Sequence, residues 1–201
     1  MGEKIILVGG FHEVIELCED IGYEIIGVID NVLKDSYLGY PILGNDDDAN
    51  ALYLKYKDIP LVITPDAPKV RENIYKHYSD IGFNFATIIG ASARISRYAT
   101  IGEGCVIQNG VNISSFVKIG RFVKLNTSSN VMHDCNLGDF VTVAPNAVIL
   151  GRINVKEKVY IGSNSTILPE LTIGEKSVVG AGSVVTKSVA RDVIVKGIPA
   201  K

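Results

Sequence analysis

From Ile89 to Val185 every sixth residue is isoleucine, leucine or valine without a gap, 17 anchors in one register. Six is a multiple of the strand period of two and not of the helical 3.6, so each hexad reads as a short strand and a turn. Four places after each anchor a second small or aliphatic residue recurs, from Ala93 and Ala99 through Cys105, Val111 and Val117 to Val189. Two inward positions per hexad fill a narrow prism, and the places between them are largely polar. Three hexads make an 18-residue triangular coil, and strands stacked at ~4.8 Å give a column of nearly six coils, about 27 Å tall. The pattern predicts a parallel β-helix. Glycine follows the anchor at Gly90, Gly102, Gly120, Gly138, Gly162, Gly174 and Gly180, where the expectation is a corner conformation closed to residues with a Cβ.

Before Ile89 the grammar changes. Lys4 to Val8 is a short apolar run ending in Gly9-Gly10, followed by helical spacing through Val14, Ile15, Leu17, Cys18 and Ile21 that stops at Gly22. A second run, Glu24 to Ile29, ends in Asp30-Asn31 and is followed by an expected loop from Val32 to Gly44. Acidic Asp46 to Asp48 suits the start of a helix through Tyr56, because negative charge is favourable there. Leu61 to Thr64 reads as a third strand, Arg71 to Ile81 as another helix, and Asn84 to Ile88 as a last strand leading into the solenoid. Alternating strand and helix predicts a small Rossmann-like parallel α/β domain over residues 1–85, with the β-helix and a C-terminal tail over 86–201.

In such a sheet ligands bind at the carboxyl ends of the strands. Those ends carry Gly10, Phe11 and His12, then Asp30 and Asn31, then Thr64 to Asp66. Glycines there let phosphates approach a helix N-terminus, and an acidic residue ending the second strand can hold a ribose hydroxyl. Gly9-Gly10 is not the full dinucleotide fingerprint, and a tight structural turn explains it equally well. A nucleotide-sized ligand fits this arrangement better than a redox cofactor.

Composition narrows the classes. The chain has 201 residues, 47% of them hydrophobic, and a formal net charge of −2. That charge gives no footprint for nucleic acid, and no run approaches a membrane span. The chain opens on a strand instead of a leader pattern, so the expected location is cytoplasmic. Cys105 and Cys135 take inward places 30 residues apart, not a multiple of 18, and Cys18 lies in the other domain. Small buried residues, not a disulfide, metal site or nucleophile, are expected.

His133 is the one histidine of three inside the solenoid and takes the third place of its hexad. Steps of 18 put Arg97 and Ser115 below it and Gly151, Pro169 and Lys187 above it. Glycine over the imidazole leaves room for a ligand along the column. Asp134 follows at once, and Asn126 lies one corner earlier. By itself, an exposed histidine on a solvated face would explain the position.

The hexad repeat resembles that of the left-handed β-helix acyltransferases. The whole chain resembles the bacterial nucleotide-sugar acetyltransferases of the PglD type and the related sialic acid O-acetyltransferases of the NeuD type. The residues that carry the resemblance are Leu125-Asn126-Thr127-Ser128-Ser129, His133-Asp134-Cys135, Gly138-Asp139-Phe140, Gly151, Ile161-Gly162, Gly180 to Lys187 and the ending Gly197 to Lys201. It implies His133 as general base, with Asp134 and Asn126 beside it in the catalytic site. Gly151, Ser163 and Ala181 match backbone positions that bind acetyl-CoA, the expected cosubstrate, and Thr142, Lys187 and Ile198 join that set. The tail after Val185 carries Lys187, Arg191, Lys196 and Lys201 against Asp192 alone. That excess suits CoA phosphates, and a solvated tail accounts for it equally.

Gly10, Phe11, His12, Asp30 and Asn31 would bind the nucleotide-linked amino sugar, and a homotrimer with His133 near an interface is expected. The implied reaction is N-acetylation of a UDP-4-amino-dideoxy sugar for bacterial surface glycans, by direct transfer without an acyl-enzyme. An imidazole with an unperturbed pKa of ~6.5 can take the amine's proton. O-acetylation of a sugar or sialic acid is the alternative within the class, and a structural solenoid the alternative outside it. A hexapeptide metalloenzyme would need several histidines on the column, so no metal is expected. Two departures stand out. Thr142 replaces a second histidine that contacts acetyl-CoA in many relatives. The glycine loop is one residue short, and Ile63-Thr64-Pro65-Asp66 replaces a Gly-Asn-rich loop.

Overall fold

The computed structural model describes residues 2–201. Strand β1 (Lys4–Val8) is followed by α1 (His12–Asp20) and β2 (Glu24–Ile29), the βαβ unit that the two apolar runs and the intervening helical spacing require. Then come β3 (Ser36–Tyr37), β4 (Tyr40–Gly44), α2 (Ala49–Tyr56), β5 (Leu61–Ile63) and α3 (Pro68–Ile81). The sheet order is β3-β4-β2-β1-β5, with β1 parallel to both β2 and β5. The chain therefore reverses its winding direction at β1, where the carboxyl ends of β1, β2 and β5 open a crevice. Both faces of the sheet are covered, one by α1 and the start of the solenoid around Ile5, Leu7 and Val14, the other by α2 and α3 around Ile6, Val8 and Tyr78.

The segment from Val32 to Gly44 is not the expected loop. It folds into a hairpin whose second strand runs parallel to β2. Leu38 and Gly39 at its tip have φ of 49° and 84°, the paired left-handed residues that a two-residue hairpin turn demands. The expected strand from Asn84 to Ile88 also divides. Phe85 bridges Leu61 of the α/β sheet, whereas Ile88 pairs with Val106 of the solenoid.

The solenoid strands form three parallel sheets of seven, six and five strands. Each strand pairs with the one 18 residues on, as in Lys124 with Thr142, Asn112 with Asn130 and Lys118 with Asn136. These pairs mark the first, second and third faces of the prism. Anchors and fourth-place residues fill it, Ile107, Val111, Leu125, Val131 and Ile149 among them.

The glycines after the anchors have a different cause from the one expected. None of them has a positive φ; the left-handed places come two residues later, at Phe116, Phe122, Ser128, Asp134 and their successors. A Cβ at Gly102 would come within 2.7 Å of the Gly120 backbone, and one at Gly162 within 2.6 Å of the Ala181 nitrogen. Close approach of the next coil, not backbone conformation, keeps these corners glycine.

The α/β domain docks on the first face. Phe122 and Phe140, one coil apart, stack at 5.4 Å and 8° and pack with Ile63, Ile74, Tyr75 and Phe85. Arg71 of α3 is buried there, with five guanidinium hydrogen bonds to the carbonyls of Pro65, Asp66, Phe122, Phe140 and Val141. Among the described residues no helix is long and apolar enough to cross a membrane.

Candidate functional site

The crevice at the ends of β1, β2 and β5 holds two adjoining cavities. One of 490 Å³ runs between Asp30, Asn31 and Asp46 on one side and Val70, Ile74 and His77 of α3 on the other. The second, of 260 Å³, lies among Gly10, Phe11, Thr64, Asp66 and Lys124, and the two share Gly9, Asp30 and Pro65. Gly9 has φ of 96°, and a Cβ there would meet the Thr64 hydroxyl at 2.6 Å. That hydroxyl donates to the Val8 and Gly9 carbonyls, tying the turn to β5.

Asp30 lines both cavities, yet its carboxylate is engaged elsewhere than the ribose role predicts. It accepts from the backbone N–H groups of Gly10 at 2.8 Å, Val32 at 2.8 Å and Leu33 at 3.0 Å. Burial opposes its charge, but those three donors prevail and hold its pKa below the ordinary value. Asp30 therefore pins the glycine turn to the loop after β2. Asn31 is likewise locked, its amide exchanging two hydrogen bonds with Asp46. Phe11 caps α1 with no side-chain bond to the helix, and the exposed His12 follows it.

Two residues that the spacing does not single out join Asp66 at the smaller cavity: Lys124 in its lining, and Arg71 behind it on the carbonyls of Pro65 and Asp66. Lys124 precedes an anchor and points outward from the first face, yet its side chain is only 1% exposed because the α/β domain covers it. Its ammonium donates to the Thr64 carbonyl at 2.6 Å, pairs with Asp66 Oδ1 at 3.0 Å and lies 4.6 Å from the Phe11 ring centre. Asn126 Nδ2 donates to the same Asp66 oxygen at 3.2 Å. The signal that could have found this surface is the outward series on the first face, Ile88, Val106, Lys124, Thr142, Tyr160 and Val178, more apolar than Thr100, Lys118, Asn136, Asn154 and Thr172 on the third.

Thr142 departs from its expected place in the acetyl-CoA set. It is fully buried under the α/β domain, and its hydroxyl donates to the Asp66 carbonyl at 2.6 Å. It fastens the 65–66 turn to the solenoid and presents nothing to a ligand.

His133 lies on a different edge of the prism. Its Nδ1 is 2.8 Å from Asp134 Oδ2, and both side chains are about half exposed, 47% and 49%. Gly151 sits one coil above, where a Cβ would come within 2.7 Å of both Cε1 and Nε2 of the imidazole. Lys187 is exposed two coils further along the same edge. Asn126, Ser163 and Ala181 belong to the edge between the first and second faces. Ser163 and Ala181 are one coil apart there, with the Gly182 N–H bonded to the Ser163 carbonyl. The tail returns along Val184 and leaves Ile198 exposed at that end of the column. One chain thus brings Asn126 together with the crevice residues and His133 together with Asp134, Gly151 and Lys187, and keeps the two groups on opposite edges of the second face. The three cysteines are buried free thiols, and burial pushes Cys18 and Cys105 up to about 12. Among the described residues no three acidic, histidine or cysteine side chains converge to hold a metal.

Comparison with known proteins fits this architecture. The family model described as the PglD N-terminal domain matches residues 4–78, the hexapeptide repeat of succinyl-transferase matches 87–115, and the bacterial transferase hexapeptide matches 152–187. WeeI from Acinetobacter baumannii AYE is 32% identical, with a TM-score of 0.85 over 98% of this chain and 99% of that one. The chain belongs to the PglD-type, hexapeptide-repeat sugar acetyltransferases. Its solenoid is accordingly the left-handed β-helix of that class, and the protein is an acyltransferase. PerB from Caulobacter crescentus, solved in complex with CoA and GDP-perosamine, aligns with a TM-score of 0.93 and 29% identity over 100% of this chain and 97% of its own. The acetyltransferase domain of PglB from Neisseria gonorrhoeae FA1090, solved with acetyl coenzyme A, aligns at 0.93 and 27% over 100% and 99%. Comparison with curated protein sequences finds no match.

Proposed function

We propose that this enzyme transfers the acetyl group of acetyl-CoA to the amine of a nucleoside-diphosphate amino sugar. Residues 1–85 hold the nucleotide, and residues 86–201 carry the acetyl donor and the base. The observation that carries the reading is the pair of joined cavities meeting at the Gly9-Gly10 turn. The larger suits a base and ribose, the turn and the N-terminus of α1 suit a pyrophosphate, and the smaller suits a sugar. The CoA and GDP-perosamine bound to PerB support the same division. A guanine nucleotide therefore stands beside the uridine nucleotide that the sequence resemblance implies.

His133 is the base in this reading. A carboxylate can only accept, so Asp134 holds the imidazole proton on Nδ1 and leaves the Nε2 lone pair free beside Gly151. Nε2 takes the amine's proton as nitrogen bonds to the acetyl carbon, and the imidazolium returns a proton to the sulfur as the carbon–sulfur bond breaks. Asp134 stabilises the imidazolium between those steps. Leu150 and Arg152 spend their N–H groups on neighbouring coils, so in this reading the Gly151 N–H meets the developing oxyanion, a role typically worth ~3 kcal/mol per donor.

The two groups of site residues lie on different edges, so the sugar of one chain must meet His133 of another. A closed trimer of triangular columns, each edge facing its neighbour, supplies that meeting three times over. The test of the activity is a screen of UDP-, dTDP- and GDP-linked amino sugars with acetyl-CoA, followed by free thiol release and by the mass of the product. An amide product with one of them is expected. No thiol release above background with any of them contradicts the reading.

A further inference from the structure

The Asp66–Lys124 pair has no part in the chemistry above, and stability does not account for it. Lys124 is buried, and an ion pair that takes a charge out of water stabilises no more, and often less, than well-packed apolar residues of the same volume. The turn carrying Asp66 is already held through its backbone, by Arg71 on the Pro65 and Asp66 carbonyls and by Thr142 on the latter. The side chain of Asp66 is therefore not needed to dock the domain.

The geometry leaves Asp66 facing the cavity. Lys124 and Asn126 both bond Oδ1, while the side chain remains 43% exposed and lines the 260 Å³ space. Lys124 is engaged by the Thr64 carbonyl and Asp66 Oδ1, and its ammonium lies 4.6 Å from the Phe11 ring centre. Burial depresses the ammonium's pKa and Asp66 counteracts that shift. What the cavity meets is the second carboxylate oxygen, a fixed anionic acceptor that calls for a donor on the ligand.

Two donors are available on an amino sugar, the ammonium and the hydroxyls. A carboxylate on the reacting nitrogen would stabilise its protonated form and oppose attack. The amine must also point toward His133 on another edge. We propose that Asp66, positioned by Lys124 and Asn126, is a specificity-determining residue that accepts a hydrogen bond from a ring hydroxyl of the sugar, so that sugars lacking that hydroxyl or carrying an acylamino group there are rejected. The inference rests on the nucleotide-sugar reading above.

The test compares the nucleotide amino sugar found in the screen with its 2-deoxy and 3-deoxy counterparts, using wild type, Asp66→Asn and the double variant Asp66→Asn with Lys124→Met. The double variant removes the buried charge that the single variant would orphan. Wild type should favour the parent sugar over one deoxy counterpart by roughly 10- to 100-fold in kcat/KM, the range for a hydrogen bond to a charged partner. In the double variant, where a neutral amide replaces the carboxylate, that ratio should fall by roughly tenfold, through loss on the parent alone. KM for acetyl-CoA and binding of the free nucleoside diphosphate should hold. An unchanged ratio, or equal loss on all sugars, overturns the inference and leaves the nucleotide-sugar reading standing. Failure of wild type to acetylate any nucleotide amino sugar overturns both.

Discussion

The α-carbon of Gly151 lies against the imidazole of His133, so close that a Cβ would come within 2.7 Å of Cε1 and Nε2. Gly151→Ala must push the ring aside and strain its bond to Asp134 Oδ2. Displacement of a catalytic group by about 1 Å can cost ~10²-fold. The expected outcome is a kcat lowered by about that factor with an unchanged melting temperature, since the ring projects from the column. Full activity in Gly151→Ala would show that the imidazole has no required position.

Arg71 should matter for folding. Burial lowers its pKa to about 10, still above neutrality, so a charged guanidinium sits among five carbonyls. Arg71→Met takes the donors from the Pro65, Phe122 and Phe140 carbonyls and leaves Asp66 and Val141 with one each, from the Thr142 hydroxyl and the Lys124 N–H, at a cost of roughly 3–5 kcal/mol. For a chain of this size that corresponds to a melting temperature about 6–20 °C lower. Arg71→Lys, with fewer and unforked donors, should recover only part of it. A calorimetric scan of the three proteins decides.

Glu72 makes a prediction in acid. Lys76 and Lys69 donate to its carboxylate at 2.9 Å and 3.0 Å, and Lys158 reaches it from the solenoid at 3.1 Å. Bonds from Lys76 and Lys69, against an opposing effect of burial and with help from Lys158, lower its pKa from 4.5 to about 2. A carboxyl depressed on folding stabilises the native state above its unfolded pKa, and that contribution disappears as pH falls through the folded value. The difference in melting temperature between wild type and Glu72→Gln should therefore be full above pH 4.5 and shrink toward pH 2. A difference independent of pH across that window contradicts the assignment.

A site divided between copies can be rebuilt from two damaged halves. His133→Ala removes the proposed base, and Asn126→Leu removes the amide that bonds Asp66. When the two variants are unfolded, mixed equally and refolded together, about one site in four should combine an intact His133 with an intact Asn126 from the neighbouring chain. Activity should rise to roughly that fraction of wild type, well above the mean of the separate variants. No gain on mixing, or a monomeric mass by light scattering, would place the whole site in one chain.

The hexad count conveyed the solenoid, its 18-residue register and the stacking of Gly151 on His133, because a period of six leaves no other repeat that buries two residues in each unit. The βαβ order of the first domain was legible for the same reason, in apolar runs closed by glycine and acidic residues. The β3–β4 hairpin was not, since its strands are short and its turn forces Leu38 to a positive φ that no leucine advertises. Nor could spacing reveal that Lys124 and Thr142 are covered. Their outward places become interior only once the α/β domain docks on the first face, and that docking also takes Thr142 out of its expected role, whereas Asp30 is engaged within its own domain by Gly10, Val32 and Leu33. The resemblance named His133 and Asn126 as partners; their separation on two edges needed three-dimensional placement.

The most direct test of the account is the turnover of His133→Ala with the nucleotide amino sugar and saturating acetyl-CoA. Loss of the base should lower kcat by ~10²- to 10⁴-fold, with the melting temperature and the affinity for the nucleoside diphosphate unchanged. Asp134→Asn should lose less, because it orients the ring without taking the proton. Activity surviving His133→Ala within a factor of a few would contradict the mechanism and leave the amine, or Asp134, to do without the imidazole.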